Sequence, residues 1–382
     1  MKIGKLTSGG DCQGLNSALR AVAKALFVRF GNDVEIYGIR DGYKGLIYNN
    51  IEKMGWNDFS GILTLGGTIL GTSRQPFKTM CTPSEELDGK TKLDKMLETY
   101  RKRKLDCLVI LGGNGTHKTA NLLAQNGVNV VSLPKTIDND LWGTDMTFGF
   151  QSAVDIATHV IDCIHSTATS HGRVFIVEVM GHKVGWLTLY AGISGGADVI
   201  LIPEIPYDAD KVCEVLLRRR KNGKPFSILA VAEGALSKQE AKLSKKELKA
   251  ARASMKEPSV SYRLANEIAE RTGQEIRVTL PGHFQRGGSP CAYDRMLTTR
   301  LGTAAAEMIA NGQFGCMAAI RNHAVVPVPL SEVAGKLKTV SPDSEEIQAA
   351  KALGISRSYV SRIEKKALEK LRSAFEGKRE DG

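Results

Sequence analysis

The sequence predicts an α/β protein with parallel, Rossmann-like sheets sandwiched by helices, and three observations support this class. Apolar runs of strand length alternate with amphipathic helical stretches along most of the chain. The runs end in glycine or polar residues, as buried parallel strands do. The chain has 382 residues and is 42% hydrophobic, so it can bury the cores of two domains.

The predicted strands occupy seven segments. In chain order they are KIGKLTSGG, DVEIYGIRDG, LDCLVILGGNG, NVVSLPKTID, RVFIVEVMG, ADVILIPE and FSILAVAEG. Helical patterns such as LNSALRAVAKALFVRFG and ATHVIDCIHSTAT lie between them. Ligands of such sheets bind beyond the carboxyl ends of the strands, so the residues after each run are the candidate site residues.

Cysteine usage and hydropathy indicate where the protein works. The seven cysteines are scattered, with no C-x-x-C pair and no metal-ligand spacing, which favours reduced thiols. No stretch reaches the ~18 apolar residues of a membrane span. We therefore expect a cytoplasmic protein that does not enter a membrane.

The net charge of +11 is concentrated in one segment. Residues 218–256 hold twelve Lys/Arg and three Glu. The densest part alternates Ala and Leu with Lys at helical intervals, which predicts a solvated basic helix rather than a nucleic-acid-binding face.

Four glycine-rich segments follow or lie between the predicted strands. TSGGDCQG (7–14) and LGGNGTHK (111–118) each join a strand to a helix start, where backbone N–H groups can approach an anion closely. GGTILGTSRQPFK (66–78) and LPGHFQRGGSP (280–290) add the cations Arg74, Lys78, His283 and Arg286. The set predicts a site for two phosphorylated ligands, although neither strand–helix loop is a Walker or dinucleotide motif.

Six motifs, in this order and at about this spacing, make the chain similar to the 6-phosphofructokinases of the bacterial type. They are TSGGDCQGLN, GGTILGTSR, GGNGT, PKTIDND, VEVMG and GHFQRGGSP, and the resemblance covers residues 1 to about 356. It implies the fold of that family. In this chain the nucleotide-binding domain would comprise residues 1–149 and 285–335. The sugar-phosphate-binding domain would comprise residues 150–284 and 336–356, and residues 357–382 would form a helical tail.

The resemblance implies a phosphotransferase with an alcohol acceptor. Such an enzyme transfers the γ-phosphoryl of ATP to the 1-hydroxyl of fructose 6-phosphate, a step of glycolysis, with Mg²⁺ as cofactor. By resemblance, Asp138 is the base that accepts the hydroxyl proton, Asp140 supports it and Thr136 lies close to the transferred group. Asp145, in the same PKTIDNDLWGTD stretch, is expected to be structural.

The other implied site residues divide between the two ligands. The residues expected at the donor are Gly10, Arg74, Gly113, Asn114, Gly115, Thr116 and Lys135. Two of these, Gly10 and Arg74, are also expected to be catalytic. Those expected at the sugar phosphate are Thr136, Asp138, Asp140, Arg173, Met180, Gly181, His182, Glu233, Arg277, His283 and Arg286. Arg277, His283 and Arg286 would cradle the 6-phosphate. Arg173 and Arg277 would serve a neighbouring subunit, so the resemblance also implies a homo-oligomer, a dimer or tetramer.

Two positions depart from the pattern of the ATP enzymes. Asn114 replaces an aspartate expected near Mg²⁺, so either Asn114 is a weaker ligand through its amide oxygen or a carboxylate such as Asp11 or Asp140 holds the ion. His182 replaces an arginine, which exchanges a permanent cation for a conditional one, backed by Lys183 or compensated by its neighbours.

Two residues bear on the choice of phosphoryl donor. Pyrophosphate-dependent members carry an aspartate that fills the α-phosphate space, whereas this chain has Gly115. Lys135, in contrast, is the residue found in the pyrophosphate-dependent members. Because exclusion by an aspartate is a stronger barrier than an added lysine, we predict ATP as donor and keep pyrophosphate as the alternative.

Asp198 falls at the carboxylate of the bacterial effector site, but we find no set of partners and predict no allostery.

The C-terminal segment EEIQAAKALGISRSYVSRIEKKALEKLR resembles the helix-turn-helix that closes bacterial sigma factors. Its pattern is a helix, a turn at Gly354 and a second helix with Ser356 as N-cap. The apolar stripe of this second helix would be Tyr359, Val360, Ile363, Ala367, Leu368 and Leu371. Residues 343–382 hold nine basic and eight acidic groups, so we expect an appended helix and no strong DNA binding. The second hypothesis is a protein of a different functional class. It would be a catalytically weakened sugar-phosphate-binding protein that reaches DNA through this tail.

Overall fold

The computed structural model describes residues 1–355, and these fall into two compact units. The first unit consists of Met1–Asp155 and His283–Lys338. The second consists of Ile156–Gly282 and, within the described residues, 339–355. The chain therefore passes between the units three times, and the functions that the sequence analysis gave to its two domains stay predictions.

Within residues 1–355, the first unit contains a seven-stranded sheet with the order β11-β10-β5-β4-β1-β2-β3. Its strands are β1 (Lys2–Ser8), β2 (Glu35–Ile39), β3 (Ile51–Met54), β4 (Cys107–Gly112), β5 (Val130–Pro134), β10 (Cys316–Arg321) and β11 (Ala324–Pro329). The five inner strands are mutually parallel, whereas β3 and β11 pair antiparallel with their neighbours. The α/β class is confirmed, but both edges of this sheet are antiparallel, which the sequence analysis did not predict.

The register of the central strands brings three loops to one edge of the sheet. Ser8 at the end of β1 is opposite Gly112 of β4, and Gly112 is opposite Pro134 of β5. β4 and β5 are buried throughout, as expected for central strands that are covered on both faces. The glycine pair after β1, the loop after β4 and Lys135 after β5 therefore begin side by side.

Helices cover this sheet on both faces. They are α1 (Leu15–Phe30), α2 (Tyr43–Ile47), α3 (Lys92–Lys102), α4 (Asn114–Gln125), α10 (Ala292–Ala310) and α11 (Leu330–Val333), together with the start of α5 (Phe150–His171). α1 packs closely on α10, since a Cβ on Gly302 would lie 2.5 Å from the Cβ of Ala21. This contact fixes the helix that follows the first glycine-rich loop.

The second unit contains a four-stranded parallel sheet of order β7-β8-β6-β9 within the described residues. Its strands are β6 (Val174–Val179), β7 (Val199–Leu201), β8 (Ser227–Ala232) and β9 (Ile276–Thr279). The helices are α6 (Trp186–Ser194), α7 (Ala209–Lys221), α8 (Lys245–Ala253), α9 (Val260–Thr272) and α12 (Glu345–Ala352). Every predicted strand segment thus contains an observed strand.

The densest part of the basic segment contains α8 (Lys245–Ala253), which is attached to its neighbours in the second unit by a buried carboxylate. The Glu240 side chain is only 8% exposed and forms ion pairs with Arg252 (2.9 Å) and Arg263 (2.8 Å). Burial by itself raises the pKa of Glu240, but hydrogen bonds from Arg263 and the Ser237 N–H, together with the Arg252 charge, lower this pKa to about 2. This clamp of Glu240, Arg252 and Arg263 stabilises the folded state at every pH at which the Glu240 carboxylate is ionised.

Replacing Glu240 by glutamine should lower the free energy of unfolding at pH 7 by about 2 kcal/mol, because two arginines lose their counter-charge. The folded pKa lies below the ordinary value of 4.5, so this contribution is present above pH 4.5 and is lost as the pH falls toward 2. Urea unfolding of wild type and Glu240→Gln should therefore differ at pH 7 and converge near pH 2. The exposed Glu214→Gln serves as control, and an equal loss in both variants would contradict the clamp.

The C-terminal helix α12 has Ser344 as N-cap, whose hydroxyl accepts the Ile347 N–H at 3.4 Å. The chain then turns at Gly354 with φ 73°. The predicted first helix and turn are thus confirmed. Ser356 and the apolar stripe from Tyr359 to Leu371 lie outside the described residues. Among residues 1–355, no helix is long and apolar enough to cross a membrane.

Candidate active site

The glycine pair after β1 is the centre of the candidate donor site in the first unit. The Gly9 N–H donates to the Ser73 carbonyl at 3.1 Å, and the Gly9 carbonyl accepts from the Thr72 hydroxyl at 2.8 Å. Gly9 has φ 90°, a conformation that favours glycine. The GTSR loop is thereby held directly against the TSGG turn, as two adjoining parts of one site.

Two arginines converge on Gly10. A Cβ at this position would lie 3.0 Å from Nη1 of Arg286 and 3.6 Å from Nη2 of Arg74. Arg286 also donates to the Asp11 carbonyl at 3.1 Å. The sequence analysis expected Arg286 at the sugar 6-phosphate, and the structure places it beside the glycine expected at the transferred phosphoryl. A Cβ at position 10 would press on Nη1 of Arg286 and would be in ordinary contact with Nη2 of Arg74.

Lys135 adds a third cation from the strand end of β5. Its side chain is buried, and its ammonium donates to the Gly10 carbonyl. Burial lowers the pKa of Lys135 and the Arg286 charge adds to this effect, while the carboxylates of Asp138 and Asp11 oppose it. The three cationic side chains therefore lie around the glycine turn. The carboxylates of Asp138 and Asp11 are close enough to affect the pKa of Lys135.

The start of α4 forms the other wall of the candidate donor site. Gly113 is the N-cap, with extended backbone and no capping side chain, so the first N–H groups of the helix are available to an anion. Thr116 is buried, and its hydroxyl donates to the Ser8 carbonyl at 3.2 Å. Gly115 is exposed, and a Cβ added there would have no atom within 4 Å. A side chain at position 115 would therefore enter open space, and the place of this residue at the α-phosphate stays a prediction.

Asn114 makes a contact that an aspartate could not make. Its amide Nδ2 donates to the Lys336 carbonyl at 2.6 Å. A carboxylate accepts hydrogen bonds and would repel this carbonyl. The departure from the family pattern at position 114 is therefore accompanied by a specific structural partner, which the sequence alone did not indicate.

The PKTIDND loop has an internal hydrogen-bond framework. The Asp138 N–H donates to the Thr136 hydroxyl at 3.1 Å, and Asp138 and Asp140 are half-buried. Asn139, between them, has φ 51°. Asp145 accepts the Asn322 N–H of the β10–β11 turn at 2.8 Å, a structural contact of the kind expected for this aspartate.

The second unit holds the predicted sugar-side residues after β6 and β8. Glu233, after β8, accepts the backbone N–H groups of Gly181 at 3.2 Å and of His182 at 2.7 Å. His182 is exposed and has φ 51°, so its side chain is displayed by a strained turn. Met180 is half-buried at the end of β6. Glu233 is thus oriented by the MGH segment.

Arg173 and Arg277 share one carboxylate. Glu275 accepts from Nε of Arg173 at 2.8 Å and also pairs with Arg277, which lies on the edge strand β9 and is exposed. The sequence analysis predicted both arginines as ligands for a neighbouring subunit but did not predict Glu275. This carboxylate holds the two cations together at the starts of β6 and β9. His283, in contrast, lies in the first unit and is exposed.

Asp198, which the resemblance placed at the effector carboxylate, forms an ion pair within its own unit. Arg219 pairs with it at 2.7 Å, and the Ile228 N–H donates to it at 3.0 Å. Burial raises the pKa of Asp198, and these partners oppose the shift. The carboxylate therefore has a structural partner on α7.

Residues that could hold a metal ion are limited to the phosphoryl loops. In the part of the chain that the structure describes, no group of three or more His, Cys, Asp or Glu side chains forms a metal cage. Mg²⁺ in phosphoryl transfer usually needs one or two carboxylates, with phosphates and water as the remaining ligands. Asp11, which acts on Lys135, and Asp140, which is half-buried in the PKTIDND loop, are the carboxylates that the sequence analysis named for such an ion.

The family model described as Phosphofructokinase matches residues 2–309. The chain belongs to this family. A phosphofructokinase of Spirochaeta thermophila, named ATP-dependent 6-phosphofructokinase, is 57% identical over 352 residues, which are 92% of this chain and 96% of that protein. ATP-dependent 6-phosphofructokinase 3 of Bacteroides thetaiotaomicron is 48% identical, covering 93% of this chain and 99% of its own length.

Solved phosphofructokinases share the fold. The phosphofructokinase of Pichia pastoris in the T-state superposes with a TM-score of 0.74 and 31% identity, over 94% of this chain and 37% of that longer chain. The resemblance to phosphofructokinases that the six motifs indicated is therefore confirmed, and so is the fold. A second family model, Sigma-70, region 4, matches residues 347–373, which confirms the resemblance of the C-terminal segment.

Proposed function

We propose that this phosphofructokinase transfers the γ-phosphoryl of ATP to the 1-hydroxyl of fructose 6-phosphate, giving fructose 1,6-bisphosphate and ADP in glycolysis. The observation that carries the proposal is the 57% identity, over nearly the whole of both chains, to a relative named ATP-dependent 6-phosphofructokinase. The clustering of Gly10, Arg74, Lys135 and Arg286 supports it, because a migrating phosphoryl needs positive charge on all sides.

Asp138 is proposed as the general base. Its carboxylate takes the proton of the 1-hydroxyl while that oxygen bonds to the γ-phosphorus, and the bond to the bridging oxygen of ADP breaks. Thr136, whose hydroxyl accepts the Asp138 N–H, holds the backbone of the base, and Asp140 supports it. The charges of Arg74, Lys135 and Arg286 oppose the negative charge that develops on the phosphoryl oxygens.

Mg²⁺ is the expected cofactor. When bound, it would neutralise the donor phosphates. Asp11 or Asp140 is the carboxylate that could hold it, with the Asn114 amide oxygen as a neutral ligand. Gly113 and Thr116, at the start of α4, would direct backbone N–H groups at the same phosphates.

The residues proposed for the sugar phosphate are those that the resemblance implies. Glu233 would bind sugar hydroxyls, with Met180, Gly181 and His182 forming the adjoining wall. Arg277 and His283 would bind the 6-phosphate, whereas Arg286, which the resemblance also placed there, lies beside Gly10 and is assigned to the migrating phosphoryl. Because Arg173 and Arg277 are proposed to serve a neighbouring subunit, the active form is proposed to be a homo-oligomer, a dimer or tetramer. All seven cysteines are free, which supports a cytoplasmic location.

The deciding experiment is a coupled assay of the purified chain with fructose 6-phosphate, Mg²⁺ and either ATP or pyrophosphate. We expect turnover with ATP, since Gly115 leaves open space beside the start of α4. Turnover with pyrophosphate alone would replace ATP by the alternative donor. No turnover with either donor would contradict the proposed activity.

The Sigma-70, region 4 match motivates a test of the second class of function, DNA contact through the tail. We expect equal electrophoretic mobility of promoter DNA with the full chain and with a chain that ends at Ser356. A shift that only the full chain produces at physiological salt would establish DNA binding.

A further inference from the structure

Lys338, a residue outside all six motifs, lies at the centre of the loop that follows the proposed base. Its Nζ is 2.9 Å from Oδ1 of Asn139, 2.9 Å from the Thr144 carbonyl oxygen and 2.8 Å from the Asp145 carbonyl oxygen. An ammonium has three N–H donors, and these three acceptors match them. All three acceptors belong to the loop Asn139–Asp145.

The backbone of the same segment is paired with the loop as well. The Lys338 N–H donates to the Asp140 carbonyl at 2.9 Å, and Leu337 forms an antiparallel bridge with Leu141. Two residues before Lys338, the Lys336 carbonyl accepts the amide of Asn114 at 2.6 Å. Residues 336–338, here called the strap, therefore contact both the donor loop at α4 and the loop that carries Asp138.

The loop needs such support because its conformation is unfavourable in isolation. Asn139 has φ 51°, and its Oδ1 accepts the Thr147 N–H at 3.1 Å in addition to the Lys338 ammonium. A non-glycine residue in this region keeps its conformation only when its surroundings impose it. Lys338 supplies the charged donor at this point, and Asp138 and Asp140 flank the strained residue.

We propose that Lys338 is a positioning residue for catalysis, which holds the loop Asn139–Asp145 so that Asp138 stays at the 1-hydroxyl. The inference rests on the proposed function and deepens it. Lys338 acts through the loop and not on the reacting atoms. Its loss should displace the base by a fraction of an ångström to about an ångström, which lowers kcat and leaves the binding of both substrates nearly unchanged.

The test compares Lys338→Met with Lys336→Met, the same substitution two residues earlier in the strap. Lys336 uses its backbone carbonyl, and its side chain is exposed, so Lys336→Met is the matched control. We expect kcat to fall about ten- to a hundredfold in Lys338→Met, with KM for fructose 6-phosphate and ATP changed less than about threefold. Wild-type kcat in Lys338→Met would overturn the proposal.

A second variant separates positioning from loss of folded protein. In Lys338→Ala, ethylammonium should restore part of kcat in a saturable manner, because it returns N–H donors to the three oxygens. Tetramethylammonium, which has no N–H donor, should not restore it at the same concentration. Equal response to the two cations, or a kcat loss that matches the loss of folded protein, would count against the role.

Failure of the proposed function can be recognised separately. If the wild type is inactive with both donors, the proposed activity fails. Hydrogen exchange then tests whether Lys338 holds the Asn139–Asp145 loop. The amides of residues 139–147 should lose protection in Lys338→Met and keep it in Lys336→Met. Equal protection in the two variants would overturn the role of Lys338 whatever the activity of the wild type.

Discussion

Replacing Asp138 by asparagine is expected to reduce kcat by about a thousandfold or more while fructose 6-phosphate still binds. A positioned general base contributes about 10²- to 10⁴-fold to such reactions, and an amide cannot take up the hydroxyl proton. The side-chain volume is unchanged, and the contact of the Asp138 N–H with the Thr136 hydroxyl is retained. Steady-state turnover in the coupled assay and calorimetric titration with fructose 6-phosphate measure the two quantities independently.

Asp145→Asn is the matched control for this experiment. Asp145 lies in the same loop, but its carboxylate accepts the Asn322 N–H, and an asparagine oxygen can accept the same bond. We therefore expect kcat within about threefold of the wild type. If Asp138→Asn and Asp145→Asn had equal kcat, Asp138 would not be the base.

Replacing Gly115 by aspartate is expected to lower kcat/KM for ATP by about a hundredfold. Gly115 is the second residue of α4, and a Cβ there meets no atom within 4 Å, so aspartate enters without strain. A carboxylate about 4 Å from a phosphate oxygen costs about 3 to 4 kcal/mol at a protein surface, which corresponds to a factor of about a hundred or more. The folded state should not lose stability, because an acidic residue near a helix N-terminus is favourable.

Gly115→Asn separates charge from volume. It has the shape of aspartate without the charge, so a loss confined to the aspartate variant identifies repulsion of the donor phosphates. Equal losses in both variants would indicate a steric effect. Unchanged kcat/KM for ATP in Gly115→Asp would exclude position 115 from the donor site and would remove the structural argument for ATP over pyrophosphate.

The strand ends and the family were predictable because their signals are local. Each predicted run contains an observed strand, since buried parallel strands need continuous apolar residues regardless of their neighbours. The glycines of TSGG are also local signals, because Gly9 adopts φ 90°. The antiparallel edge strand β11, in contrast, was missed, since AVVPVP carries two prolines that weaken a strand pattern.

The partners of the site residues were not predictable from local patterns. Arg286 reaches the Gly10 turn from 275 residues beyond Asp11, and Glu275 gathers Arg173 and Arg277. Lys338 belongs to no motif, and its neighbours in sequence give no indication that three oxygens of the Asn139–Asp145 loop surround its ammonium. These contacts depend on how distant segments pack.

For this phosphofructokinase, the sequence alone determined the α/β class, the family, the glycine-rich strand ends and the aspartate-containing loop, because burial, backbone freedom and residue type are properties of short segments. The tertiary structure decided the convergence of Arg74, Lys135 and Arg286 on Gly10, the bond from Asn114 to Lys336 and the support of the Asn139–Asp145 loop by Lys338. Hydrogen bonds and charge clusters require matched positions in space, and only the register of the strands and the packing of the helices provide those positions.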